Sequence, residues 1–314
     1  PILMCIFTLI KFNTNINTIM KTAKFDKNHS KEFITELRKS VDEYFKKNNK
    51  TRFGNTNMVF KSIFMLLLYF IPYGVVVSGV VTNHWIYWLL WVCMGVGMAG
   101  IGLSIMHDAN HGSYSKKTWV NKLMGSSIYI LAGNVYNWKV QHNVLHHTYT
   151  NIHGHDEDLD AGRILRFTKH AQWKWYHRFQ HYYSILLYGL LTINWAITTD
   201  FLQMKRYTKR KLAYGKLPNP FVNWSTLVLS KVIYLSIWIV LPIVVLELAW
   251  WKILIGFFIM HYTAGLILSV IFQLAHVMDE AEMPMPENDG SLKNTWAIHQ
   301  LKTTINFSPK NKLI

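Results

Sequence analysis

The chain has 314 residues, 51% of them hydrophobic and 15% aromatic, with 33 Lys plus Arg against 17 Asp plus Glu. That apolar content excludes a disordered chain, and 17 glycines and two cysteines, Cys5 and Cys93, exclude a collagenous, disulfide-built or zinc-finger scaffold. The formal charge of +16 would suit a nucleic-acid partner, but the apolar residues fall in uncharged runs of membrane length, so the positive-inside rule accounts for the charge and no nucleic acid is expected.

The chain opens on Pro1. Residues 1–19 are too short and too polar to span a bilayer and lack a signal-peptide cleavage site, so they read as non-native upstream translation. Met20 opens a cytosolic-looking segment, MKTAKFDKNHS, and residues 20–58 form a cytoplasmic N-terminal segment. Within it, residues 30–47 have helical periodicity, with Phe33, Leu37, Val41 and Tyr44 on one side and Ser30 as N-cap. This predicts an amphipathic helix at the membrane surface or packed on the domain.

Residues 59–314 form the membrane domain. Residues 62–82 and 85–106 hold no charge, and each run is long enough to cross about 30 Å of hydrocarbon. Only Asn83 and His84 separate them, which predicts a hairpin. A second hairpin follows from residues 222–246 and 253–275, joined by Glu247–Lys252. Lys231 interrupts the third span and is expected to snorkel to the near surface. Residues 183–199 are apolar, but a span there would break the parity of two hairpins, so an interfacial or re-entrant helix is expected. The expected fold is therefore an all-α integral membrane protein: four transmembrane helices as two hairpins, with a cytoplasmic helical domain. Residues 107–222 carry 15 Lys or Arg and residues 1–58 carry 11, which puts both termini and the middle loop on the cytoplasmic side.

The 15 histidines are unevenly placed. His107 and His111, in HDANH, follow the second span at i, i+4 spacing, on one helix face. His142, His146 and His147 form HNVLHH in the basic loop. On an α-helix His142 and His146 share a face and His147 points about 100° away, an offset that would let one segment address two metals. His276 ends the fourth span. Topology puts these six at one membrane face. His84 lies about 34 Å from His107 and on the opposite side, while His261 lies about 22 Å from His276 and reads as a packed polar residue of the bundle. His153 and His155 read as ligands, supporting groups or solvated loop residues; His29, His170, His177 and His181 read as surface.

Imidazole suits Fe, Zn, Cu and Ni, so ligand type leaves the metal open. Six candidates exceed the four of a closed zinc site, so two metals are the more natural reading. A redox-capable pair beside the bilayer suits oxidative attack on an unactivated lipid C–H bond.

HDANHGSYS followed by HNVLHHTYTNIHGHDEDLD resembles the histidine boxes of integral-membrane fatty acid desaturases, most closely bacterial acyl-CoA desaturases of the linoleoyl-CoA, front-end-like group. The likeness runs from about Met20 through WAIHQLKTTINFSPKN. It implies an oxidoreductase acting with O2, in a bacterial inner membrane, that introduces a cis double bond into a fatty acyl chain carried as a CoA thioester. It implies two non-haem Fe held by His107, His111, His142, His146, His147 and His276, with electrons from a separate cytochrome b5-like or ferredoxin-like donor. Asp108 and Asp156 are then candidates to orient ligand N–H groups, and Gln273 to reach the site through water.

The third box of that family, Q-x-x-H-H or H-x-x-H-H, is missing; His299, in WAIHQ, lacks the pattern. The expectation is a C-terminally incomplete, inactive fragment of a desaturase. Tyr136, Trp138, Trp173, Trp175 and Tyr176 suit an acyl tunnel or interfacial anchoring equally. Lys139, Arg163, Arg166, Lys174 and Arg178 suit CoA phosphates or the positive-inside rule. The alternatives are a related di-iron lipid hydroxylase or ketolase and, more distantly, a metal transporter, which would place its ionisable groups inside the spans.

Overall fold

A computed structural model describes residues 23–26, 31–159 and 162–306. The readings of residues 1–19, of His29 and of Ser30 as a cap lie outside these. The chain divides into two compact units, one of residues 51–140 and 185–270, the other of residues 1–50, 141–184 and 271–314.

Helix α1, Lys31–Lys47, is the amphipathic element, with Leu37, Val41 and Tyr44 exposed. Four helices are long and apolar enough to cross a membrane: α2, Thr56–Val77; α3, His84–Asn110; α8, Pro220–Val245; and α9, Trp250–His276. Their ends follow from local chemistry. The Asn55 carboxamide oxygen accepts from the Met58 N–H and starts α2 six residues before the expected position. Gly79, at φ +72°, stands just past the end of α2, so residues 78–83 make the link rather than Asn83 and His84 alone. Asn83 caps α3 through the N–H groups of Trp85 and Ile86. Helix α3 then runs four residues beyond the expected 106, to Asn110.

Helices α3 and α9 form the interior, 61% and 44% buried over their apolar windows, against 22% for both α2 and α8. The outer pair present Phe60, Phe64, Ile71, Leu229, Val232 and Val244 outward, the pattern of a lipid-facing surface. Helices α2 and α3 cross closely at Gly97, where a Cβ would stand 2.8 Å from the Tyr69 nitrogen.

Between the hairpins lie α4, Thr118–Gly125, and α5, residues 135–149. Trp175–Tyr188 (α6) and Leu191–Arg210 (α7) follow and meet at 66°. The apolar stretch 183–199 straddles this bend. At the bend, the carbonyl of Gly189 approaches Gly265 of α9 so closely that a Cβ there would lie 2.6 Å from it.

Lys231 does not snorkel. It is 5% exposed, and its ammonium donates to Asp200 Oδ2 at 2.6 Å, to the Trp195 carbonyl at 2.9 Å and to the Ala132 carbonyl. Asn137 Nδ2 holds the same aspartate through its carbonyl, at 2.7 Å, and Oδ1, at 3.1 Å. The sequence reading missed Asp200 as the partner because it lies 31 residues away, on α7. An internal counter-charge removes the need to reach water.

His261 is fully buried. Thr192 Oγ1 donates to the His261 carbonyl at 2.8 Å, so its one proton is spent and His261 Nδ1 must donate to it, at 2.9 Å. Nε2 then accepts from the Tyr234 hydroxyl at 2.8 Å. The ring is a neutral, fully partnered packing group of the bundle.

In the other unit, β1 (Lys24–Phe25) pairs in parallel with β2 (Ser291–Leu292), and Ala23, Ile152 and Leu292 form a small core with Phe25 and Tyr149. The last described helix is α10, Trp296–Thr303.

Candidate metal centre

The last turns of α3 change winding. Residues Ile101–Met106 are π-helical and lead directly into His107. The His107 and His111 rings lie 4.6 Å apart, and both meet the buried indole of Trp138, at 5.9 and 5.6 Å. Trp138 thus packs against the first box. Asp108 Oδ1 stands 3.1 Å from His107 Nδ1. Asn110 pins the helix end by donating to the Gly125 carbonyl.

The second box winds differently from the expectation. Lys139–His146 is π-helical, with i to i+5 closure. Residues five apart therefore share a face, and His147 does not point away from His142. Their rings are 4.6 Å apart and their Nε2 atoms 3.2 Å apart. Two imidazoles bound to one metal at about 2.1 Å bring their nitrogens to roughly 3.0–3.4 Å, so this spacing fits a shared ion. His146 stacks on His142 at 5.2 Å.

Carboxylates stand behind these rings. His146 Nδ1 lies 3.0 Å from Asp156 Oδ2 and 3.3 Å from Asp158 Oδ2. Burial works against the His146 cation, but the Asp158 and Asp156 carboxylates outweigh it and raise its pKa to about 9. With Nδ1–H committed to a carboxylate, Nε2 is the nitrogen left to bind a metal. Asp158 also lies 3.8 Å from His142 Nδ1 and accepts from Gln141 Nε2 at 2.6 Å. His142, His146 and Asp158 form a group able to hold an ion. Sequence reading singled out Asp156 and passed over Asp158, whose only signal was the acidic run DED.

His276 joins the second box, its ring 4.7 Å from that of His146. Its Nδ1 lies 3.2 Å from the Thr303 carbonyl. A carbonyl only accepts, so Nδ1 carries the proton and Nε2 is the nitrogen left to bind a metal. Gln273 lies one turn earlier on α9, half-buried.

Three further histidines donate to backbone carbonyls. His299 Nε2 donates to the Thr150 carbonyl at 2.7 Å, His170 Nε2 to the Met283 carbonyl at 2.7 Å, and His177 Nε2 to the Arg163 carbonyl at 3.0 Å. These are structural donors. His155 packs on Tyr149, His153 faces His170, and His84 is exposed at the start of α3. Of the tunnel candidates, Tyr136 donates to the Leu212 carbonyl and Tyr176 to the Arg163 carbonyl, while Trp173 and Trp175 are exposed. Arg166 is spent on the carbonyls of Ala171 and Lys169, and Lys139 lies over the Tyr214 ring.

A sequence model described as fatty acid desaturase matches residues 83–313, nearly three-quarters of the chain. The protein belongs to the fatty acid desaturase family. It is 35% identical over 294 residues to an sn-1 linoleoyl-lipid 6-desaturase of Arthrospira platensis, covering 93% of this chain and 78% of that one. An sn-1 linoleoyl-lipid 6-desaturase of Synechocystis is 30% identical over 89% of this chain and 77% of its own. An acyl-lipid (8-3)-desaturase of Physcomitrium patens is 30% identical over 92% of this chain and 60% of its own. No solved structure matches. Both boxes, the three long apolar helices beyond α2, and α10 fall within the matched family region.

Proposed function

We propose that this desaturase uses O2 to place a cis double bond in a fatty acyl chain, with His107, His111, His142, His146, His147 and His276 as ligands to two non-haem iron ions. The observation that carries this is the approach of His142 Nε2 and His147 Nε2, 3.2 Å apart. The donor set fits iron: imidazoles, with carboxylates behind them. When bound, the iron pair supplies the O2 activation that removal of hydrogen from an unactivated methylene requires. The acyl chain loses two hydrogens, a separate cytochrome b5-like or ferredoxin-like protein supplies two electrons, and with two protons O2 leaves as two waters.

The chain's own groups fix imidazole tautomers. Asp156 holds the Nδ1 proton of His146, the Thr303 carbonyl holds that of His276, and Asp108 stands at Nδ1 of His107. Trp138 keeps the first-box rings against an apolar wall. The relatives' names specify lipid-bound acyl groups, which favours an acyl chain on a membrane lipid over a CoA thioester as the substrate. The basic middle loop favours a cytoplasmic placement of both boxes, at a bacterial inner membrane. Lys231 and His261 are satisfied by their own neighbours, which speaks against a permeation path and a metal transporter.

The test is gas chromatography with mass spectrometry of fatty acids, separated by lipid class, from cells expressing the gene through its natural stop codon together with a donor. A new double bond in glycerolipids, abolished by His147→Ala, is expected. A double bond first appearing in the acyl-CoA pool would reassign the carrier. A hydroxylated or oxo product would move the protein to the hydroxylase or ketolase chemistry of the same centre.

A further inference from the structure

We propose that Asn151 is the positioning residue that sets two of the candidate ligands, His146 and His276, at once. The proposal rests on the metal reading above and adds to it a residue outside the histidine boxes.

Asn151 is fully buried and sits in the left-handed region at φ +60°. Its backbone N–H donates to Asp156 Oδ2 at 2.9 Å, the same oxygen that lies 3.0 Å from His146 Nδ1. Its Nδ2 faces three carbonyls: His276 at 2.9 Å, Thr303 at 3.2 Å and Glu282 at 3.3 Å. Carbonyls only accept, so the amide must present its NH2 to all three. The Thr303 carbonyl is also the acceptor for His276 Nδ1. One residue therefore grips both acceptors that fix the tautomer and aim of two imidazoles 4.7 Å apart. It also grips the backbone of His276 itself.

The position explains the residue type. Asparagine tolerates φ > 0 better than other side chains that carry an amide. Glycine would keep the backbone and lose the donors. Aspartate would keep the size and turn an acceptor toward three carbonyls.

The experiment titrates Co2+, as a spectroscopic probe, into the metal-free purified protein in detergent, for the wild type, Asn151→Gly and Asn151→Asp. The d–d absorption reports affinity and ligand geometry, and thermal unfolding of each metal-free sample reports the fold. Groups that orient metal-bound histidines are worth about 10–100-fold in metal affinity. We expect both variants to bind Co2+ more weakly by that factor with an altered d–d spectrum, while metal-free Asn151→Gly still unfolds cooperatively. Wild-type affinity and spectrum in Asn151→Gly would overturn the proposal, because the backbone alone would then suffice. Loss of the cooperative transition in metal-free Asn151→Gly would also overturn it, making Asn151 a folding residue. A wild type that binds no Co2+ would bring down the metal reading together with it, an outcome distinct from the other two.

Discussion

His142 Nε2 and His147 Nε2 stand 3.2 Å apart because the helix leading from one to the other is wound with i to i+5 closure. An α-helix would turn these rings about 100° out of alignment relative to the i, i+4 pair. Two imidazoles on one ion make a specific prediction. In calorimetric titration with Co2+, His142→Ala and His147→Ala should weaken the same binding step, by tenfold or more each. The double variant should lose less than the sum, as expected of groups that act on one ion. Losses on two separate steps would show that the rings serve different ions.

The Lys231–Asp200 pair is an internal ion pair in the apolar bundle, and removing one partner leaves an uncompensated charge. Lys231→Met or Asp200→Leu alone should cost about 3–5 kcal/mol. Lys231→Met with Asp200→Leu should recover most of that loss. Thermal unfolding of the four proteins in detergent completes the cycle; additive losses would mean the two side chains act independently.

Tyr234→Phe removes the donor to His261 Nε2 and leaves a fully buried nitrogen unsatisfied. A loss of about 1–3 kcal/mol in stability is expected, with the Co2+ affinity unchanged, since the neighbours of this ring are packing groups. A change in metal binding would give this cluster a role in the centre.

His299 is buried beside Phe25 and donates to the Thr150 carbonyl. Burial disfavours its cation and lowers its pKa, more than the Thr150 contact and the Glu282 and Asp156 charges raise it. Below the unfolded value of about 6.5 the unfolded chain binds a proton that the folded chain resists, so stability falls as pH drops from there toward the folded pKa. Unfolding temperatures between pH 5 and 7.5 should therefore decline toward acid in the wild type, and decline less in His299→Gln. Parallel profiles would mean that His299 contributes nothing to this dependence.

Much of this was legible in the sequence. Apolar runs of about 20 residues, one of them interrupted by Lys231, mark the four long helices, because hydrocarbon demands length and apolarity. The clustering of His107, His111, His142, His146, His147 and His276 marks the candidate ligands, because metal chemistry restricts the residue types. Side-chain direction was less legible. The face that His147 shares depends on a π-helical turn, and helical register is a property of backbone hydrogen bonds rather than of composition. The partner of Lys231 is Asp200 on another helix, and the acceptor of His276 is the carbonyl of Thr303, which has no side-chain signature at all. Asn151, in the same way, is an ordinary letter in TYTNI until folding brings three carbonyls to its amide. Composition and spacing determined which groups are present, which medium the helices cross and which neighbouring carboxylates stand at His107 and His146; tertiary contacts decided which nitrogen of His276 carries its proton and brought the His142 and His147 rings together.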